Sequence, residues 1–162
     1  MNDETLLKIE RLNDALEELF KLAELKRQKA KECLFEEVKM FRDREMKLLR
    51  KITLQLEALR QSDIKIKLFL DNKLLRRRDF LRIKNYHQFV YFIKYLGLPD
   101  FISFDQNLEE AFSGYDCAKW LVIHCLEQNL ILPGYVVHNQ YPIGKGNIEC
   151  LLFNFEKRTK LS

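Results

Sequence analysis

Glycine and proline are nearly missing from this chain. Its 162 residues hold five glycines and three prolines, the first of them being Gly97 and Pro99. Nothing upstream of those two forces the backbone out of a helix. Long apolar runs are missing as well. No stretch reaches the about 18 to 20 uncharged residues that a membrane-spanning helix needs, so the sequence predicts no membrane segment. Neither a signal peptide, a low-complexity linker nor an internal repeat of 20 to 50 residues is apparent. Four cysteines, Cys33, Cys117, Cys125 and Cys150, fall at irregular spacing. That pattern fits reduced, mostly buried thiols and a cytoplasmic or nuclear location.

Recognisable catalytic chemistry is the third absence. His124, Cys125, His138 and Cys150 are the soft-metal ligands available in the second half, and no two form a C-x-x-C or H-x-x-x-H pair. A thiol nucleophile would have to be Cys117 or Cys125 acting with His138, and nothing local supports it. The glycines of IGKGN, around Lys145, do not open a helix in this reading and make no phosphate loop. Glu109 and Glu110 are adjacent and diverge on a helix. The sequence therefore predicts no enzyme, no cofactor and no metal.

What is present begins with a charged, leucine-rich stretch. Ile9, Leu12, Leu16, Leu19, Ala23, Ala30 and Cys33 recur at alternating spacings of three and four, and Leu34, Val38, Phe41, Leu48, Ile52 and Leu59 repeat the pattern. The two frames are offset by one residue around KRQKAK, Lys26 to Lys31. Such a skip marks either a local change of winding or the bend of a helical hairpin. A reversal without Gly, Pro, Asn or Ser is unusual, which favours a continuous rod. At about 1.5 Å per residue that rod would extend roughly 90 Å, too far for one chain to cover its own apolar stripe. Residues 1–62 are thus expected to oligomerise, as a homodimer or with another coiled-coil protein, through Leu12, Leu16, Leu19, Leu34, Val38, Phe41, Leu48 and Ile52. Additional apolar residues such as Phe20 and Met40 leave a folded-back bundle as the alternative.

Charge then separates the regions. Residues 1–62 carry 14 basic and 13 acidic side chains, residues 63–95 carry 9 and 3, and residues 96–162 carry 5 and 8. The positive excess sits in residues 63–84. There IKIKLFL alternates as a strand, Asp71 and Asn72 offer a turn, and LLRRRDFLRI reads as a returning strand. Lys73, Arg76, Arg77, Arg78, Arg82 and Lys84, interleaved with Phe80, Tyr86 and His87, form the cluster best suited to nucleic acid or an acidic partner.

The rest, 85–162, reads as a small head. Asn85 and Gln88 open an apolar helix closed by Gly97, Ser103 and Gln106 open a second one ended by Gly114, and Asp116 caps a third, Cys117 to Leu130. YVVHNQY, GKG and NIECLLFNF over 134–155 read as a strand, a reversal and a closing strand, with Gly144 to Asn147 as an exposed wing and Lys157 to Lys160 as a basic tail. Phe112, Gly114, Trp120 and Leu121 (FSGYDCAKWL) followed by LLFNF resemble the DEP family, a winged-helix adaptor domain. The resemblance covers roughly fifty residues and implies a winged-helix head and no more.

The expected fold class is α+β: a long N-terminal coiled-coil helix, then a winged-helix-like head, 63–162, with a C-terminal β-hairpin. The expected function is a non-enzymatic scaffold or adaptor that binds a further protein through its head. The alternative is a nucleic-acid-binding protein using the basic neck.

Overall fold

The computed structural model describes residues 3–70, 77–105, 108, 112–138 and 142–160. The chain divides into two compact units, Met1–Ile64 and Lys65–Ser162.

The first unit is a helical hairpin, α1 (Asp3–Lys31) and α2 (Phe35–Gln61), and not a continuous rod. The reversal is made by a Schellman motif. The Cys33 N–H donates to the Ala30 carbonyl at 3.2 Å and the Leu34 N–H to the Lys29 carbonyl at 3.1 Å, with Cys33 left-handed at φ 59°. Glycine usually takes that position, and here a cysteine does. The same pair of bonds recurs at Asp63 and at Asn129, both also at positive φ. Three helices of this chain thus end without the glycine that would announce it.

Within the hairpin, α1 buries Ile9, Leu12, Leu16, Leu19, Phe20, Leu22 and Ala23, and α2 buries Ile52, Leu56 and Leu59. Folding the stripe in half covers Ile9 to Ala23 of α1 and Ile52 to Leu59 of α2, and leaves Val38, Phe41 and Leu48 half-buried and Leu34 exposed. Glu45 of α2 is buried as well and paired with Lys26 of α1. Lys29 ties the turn through Glu32 at 3.1 Å and Glu37 at 3.3 Å.

The second unit is an α/β domain. In chain order it runs β1 (Lys67–Leu70), β2 (Leu81–Ile83), α3 (Tyr86–Leu96), β3 (Phe101–Asp105), α4 (Gly114–Glu127), β4 (Gly134–His138) and α5 (Pro142–Lys160). The strands form one sheet of order β2-β1-β3-β4, and every neighbouring pair is parallel. β1 and β3 are central and read as near-continuous apolar runs, as strands buried on both faces do.

Both expected hairpins are therefore wrong. β2 does not run antiparallel to β1; the turn expected at Asp71 and Asn72 falls outside the described residues. The two strands pair parallel, with Leu68 opposite Leu81. NIECLLFNF is helix, because its buried residues Ile148, Leu152 and Phe155 follow a spacing of four and three. FISFD, read as leading into a helix at Ser103, is the central strand β3. With a parallel sheet and a helix in place of the terminal hairpin, the winged-helix class is excluded, and of the DEP-like residues Phe112 precedes α4, Gly114, Trp120 and Leu121 lie on α4, and LLFNF lies on α5.

Handedness places the layers. The crossovers β2–α3–β3 and β3–α4–β4 run the same way along the sheet, and right-handed connections put both helices on one face. There Phe89 of α3 meets Phe104 of β3 at 6.1 Å and Trp120 of α4 at 6.2 Å between ring centres. The β1-to-β2 connection runs the other way, and Phe80 at its end packs on the opposite face, 5.9 Å from Phe69 and 6.3 Å from Phe101.

Candidate functional site

Parallel strands bring all their carboxyl ends to one edge. In an open α/β sheet ligands bind outside those ends, where the strand order reverses, here between β1 and β3. β3 ends on Asp105 and β4 on His138, and the two are register partners, so both half-buried side chains point from the same face of the sheet. β2 ends on Ile83 and is followed at once by Lys84.

The amino ends of the helices lie along this same edge, since each helix follows a strand. The Asn85 side chain caps α3, accepting the Gln88 N–H at 2.9 Å, and Gln88 Oε1 accepts the Lys84 N–H at 2.9 Å. Ser113 caps α4 in a reciprocal box. Its N–H and its hydroxyl both donate to Asp116 Oδ2 at 2.7 Å, while its Oγ accepts the Asp116 N–H at 3.4 Å. Those two donors at Ser113 hold the Asp116 carboxyl below the usual carboxylate range. Uncompensated N–H groups and aligned peptide dipoles make such an edge favourable to anions.

Aromatic rings stand beside it. Tyr86, the first residue of α3, stacks on Phe112, just before the α4 cap, with centres 4.5 Å apart and planes 21° apart. His87 meets Phe112 edge-on at 5.6 Å.

A family model described as the cyclic-phosphate processing receiver domain matches residues 45–154. The chain belongs to this family. No curated protein and no solved structure matches it significantly. The parallel sheet with its helices is the receiver-like architecture, and the match replaces the coiled-coil scaffold expected from the heptads.

Membership in the cyclic-phosphate processing receiver family recasts the expected site residues. Leu12, Leu16, Leu19 and Ile52, chosen for oligomerisation, are buried inside the hairpin; Val38, Phe41 and Leu48 are half-buried and Leu34 is exposed. The basic cluster is split. Lys73 and Arg76 lie outside the described residues. Arg77 covers the Phe69 and Phe80 rings at 5.5 and 5.6 Å, Arg78 is exposed beside it, and Arg82 lies within β2. Of the described cluster residues, Lys84 is the one at the carboxyl edge, because β2 separates it from Arg77 and Arg78.

Gly144, Lys145 and Gly146 are in the first turns of α5 and not on a wing. Burial pushes the Cys117 thiol up and raises that of Cys125 to about 11, so neither is a ready nucleophile. His124 stacks on Trp120 at 4.9 Å. Among the described residues no group of three or more His, Cys, Asp and Glu could hold a metal, and no helix is long and apolar enough to cross a membrane.

The residues missed as a site are Asp105 and Phe112. One sequence signal existed for the first: KLFL and FISF are two short apolar runs, each followed directly by aspartate, Asp71 and Asp105. Asp71 lies outside the described residues.

Proposed function

We propose that this receiver domain binds a cyclic phosphate ester at the carboxyl edge of its sheet, around the ends of β1 and β3, and holds it without turnover. The observation that carries the reading is the register pair Asp105 and His138 at that edge, in a chain of the cyclic-phosphate processing receiver family. The phosphate oxygens take a hydrogen bond from the imidazole, with Lys84 supplying positive charge. Asp105 accepts a hydrogen bond from a hydroxyl of the ester. Opening a cyclic phosphate calls for proton transfer on both sides of phosphorus, to the leaving oxygen and from the attacking water. Asp105 and His138 stand side by side on one face of the sheet, an arrangement that supports holding the ligand over flanking it.

Calorimetric titration of the full chain with adenosine 2′,3′-cyclic phosphate and with glycerol 1,2-cyclic phosphate tests binding. Phosphorus NMR of the same mixtures tests turnover. Saturable binding that Asp105→Asn and His138→Gln each weaken about tenfold, with the ring intact, is the expected result. Absence of binding refutes the site, and appearance of a ring-opened monoester refutes the claim of no turnover.

A further inference from the structure

The helix α4 is apolar on both of its sides. One side, with Gly114, Cys117, Ala118, Leu121 and Cys125, is buried in the domain. The other carries Ile123 and Leu126, which keep 44% and 68% of their surface exposed, between exposed Lys119 and Glu127. Positions 119, 123, 126 and 127 fall at helical spacing and share one face. Ile131, 87% exposed, follows shortly after the left-handed Asn129 that ends the helix. A helix lying on a sheet normally turns a polar face to water, and one that is apolar all round is buried all round. In the single chain the outer face of α4 is open to water.

That face is also complementary to itself. Lys119 lies four residues before Ile123 and Glu127 four residues after it. Two copies of α4 laid antiparallel about a twofold axis at Ile123 bring the two isoleucines together, place Leu126 of each against Trp120 of the other, and set Lys119 of each within reach of the partner's Glu127. Laid parallel, they would set lysine beside lysine and glutamate beside glutamate. The largest apolar patches that monomers leave open measure about 300–600 Å². Two of that size face to face cover about 600–1,200 Å², which reaches the lower end of specific interfaces and fits a reversible dimer. We propose that two copies of this chain associate antiparallel through the outer faces of α4, with Ile123 on the twofold axis. The contact uses the second half of α4, away from the carboxyl edge at which that helix starts, so it stands whether or not the phosphate reading does.

Sedimentation equilibrium of the full chain from about 5 to 500 µM, the range of reversible contacts, tests the association. The mass is expected to rise with concentration from the 19.5 kDa of one chain toward twice that value. Ile123→Asp sets two carboxylates on the axis and is expected to leave a monomer throughout. Lys119→Glu and Glu127→Lys each turn both ion pairs into like charges and are expected to weaken association about tenfold, while the double variant Lys119→Glu, Glu127→Lys exchanges the partners and is expected to restore it. Leu54→Lys, at a 66% exposed position of α2, is expected to change nothing. All of these positions are exposed, so the variants keep the fold, which circular dichroism checks. A monomer at every concentration overturns the proposal, as does a dimer that survives Ile123→Asp or one that Leu54→Lys dissolves equally. Failure of either single reversal to weaken association, or of the double variant to restore it, overturns the antiparallel arrangement.

Discussion

Lys26 and Glu45 join the two arms of the helical hairpin, and their burial is unequal. The Glu45 side chain is 5% exposed and that of Lys26 is 32% exposed. Replacing Lys26 by methionine keeps the aliphatic stem and removes the charge, which leaves a carboxylate in the interior without that partner. Breaking a fully buried pair costs about 3–5 kcal/mol. Lys26 is about a third exposed, and water reaching that end brings the expected loss to about 2 kcal/mol. For a unit of this size, unfolding in urea proceeds at about 1 kcal/mol per molar, so the midpoint should fall by about 2 M. Circular dichroism at 222 nm follows it, since α1 and α2 contribute 29 and 27 helical residues. Trp120, on α4 and the single tryptophan, reports the sheet unit separately by fluorescence.

The double variant Lys26→Met, Glu45→Met is expected to be more stable than Lys26→Met alone, because it buries no charge. Its midpoint should not depend on protein concentration, the pair being within one chain. An unchanged midpoint for Lys26→Met, or a double variant less stable than the single one, refutes the reasoning.

Cys33→Gly removes the left-handed strain of a side chain at the hairpin turn and should raise the same midpoint by the equivalent of about 1 kcal/mol, while Cys33→Val should lower it. Iodoacetamide at pH 7.5 should label Cys33 and Cys150, which are exposed, and spare Cys117 and Cys125, whose thiols burial keeps protonated. Mass spectrometry counts the adducts, and four in the folded chain would contradict the packing of α4. The Asp116 carboxyl titrates below its unfolded value, so the stability it contributes is present above that value and disappears as pH falls through the folded one. Asp116→Asn should therefore lose less stability than wild type between about pH 5 and pH 3, as measured by Trp120 fluorescence in urea.

Local signals led to the right element where one residue type did one job. Asn85 caps α3 as its side chain implies, and Gly97, at φ 88°, ends it. They misled where a residue had two readings. Ser103 with Gln106 has the spacing of a capping box, yet Ser103 is buried in β3 between Ile102 and Phe104, and the apolar run outweighs the cap. Asp116 reads as a helix cap because it precedes the apolar stretch, whereas it is the third helical residue and the partner of the cap Ser113.

The helical reversal was hidden for a different reason. Cys33, Asp63 and Asn129 all tolerate the left-handed conformation when two backbone bonds enforce it, and a scan for glycine passes over them. Strand direction was not legible either, because alternation in IKIKLFL is the same for a parallel and an antiparallel neighbour. The edge proposed as the site could be found only once direction was known, since parallel strands are what bring their carboxyl ends together there.

Pairing β1 in parallel with both β2 and β3 governs how the chain acquires its structure. Leu68 and Leu70, fully buried in β1, are paired only after β2 and β3 have been brought alongside. The helical hairpin needs only the closure of its own short turn. Folding should accordingly proceed at two tempos, rapid for the helices and slow for the sheet, whose contacts are distant along the chain. Until the slow phase ends, Leu68, Phe69 and Leu70 form an apolar segment without neighbours, and losses of yield during refolding should be traced there before the leucine-rich helices are suspected.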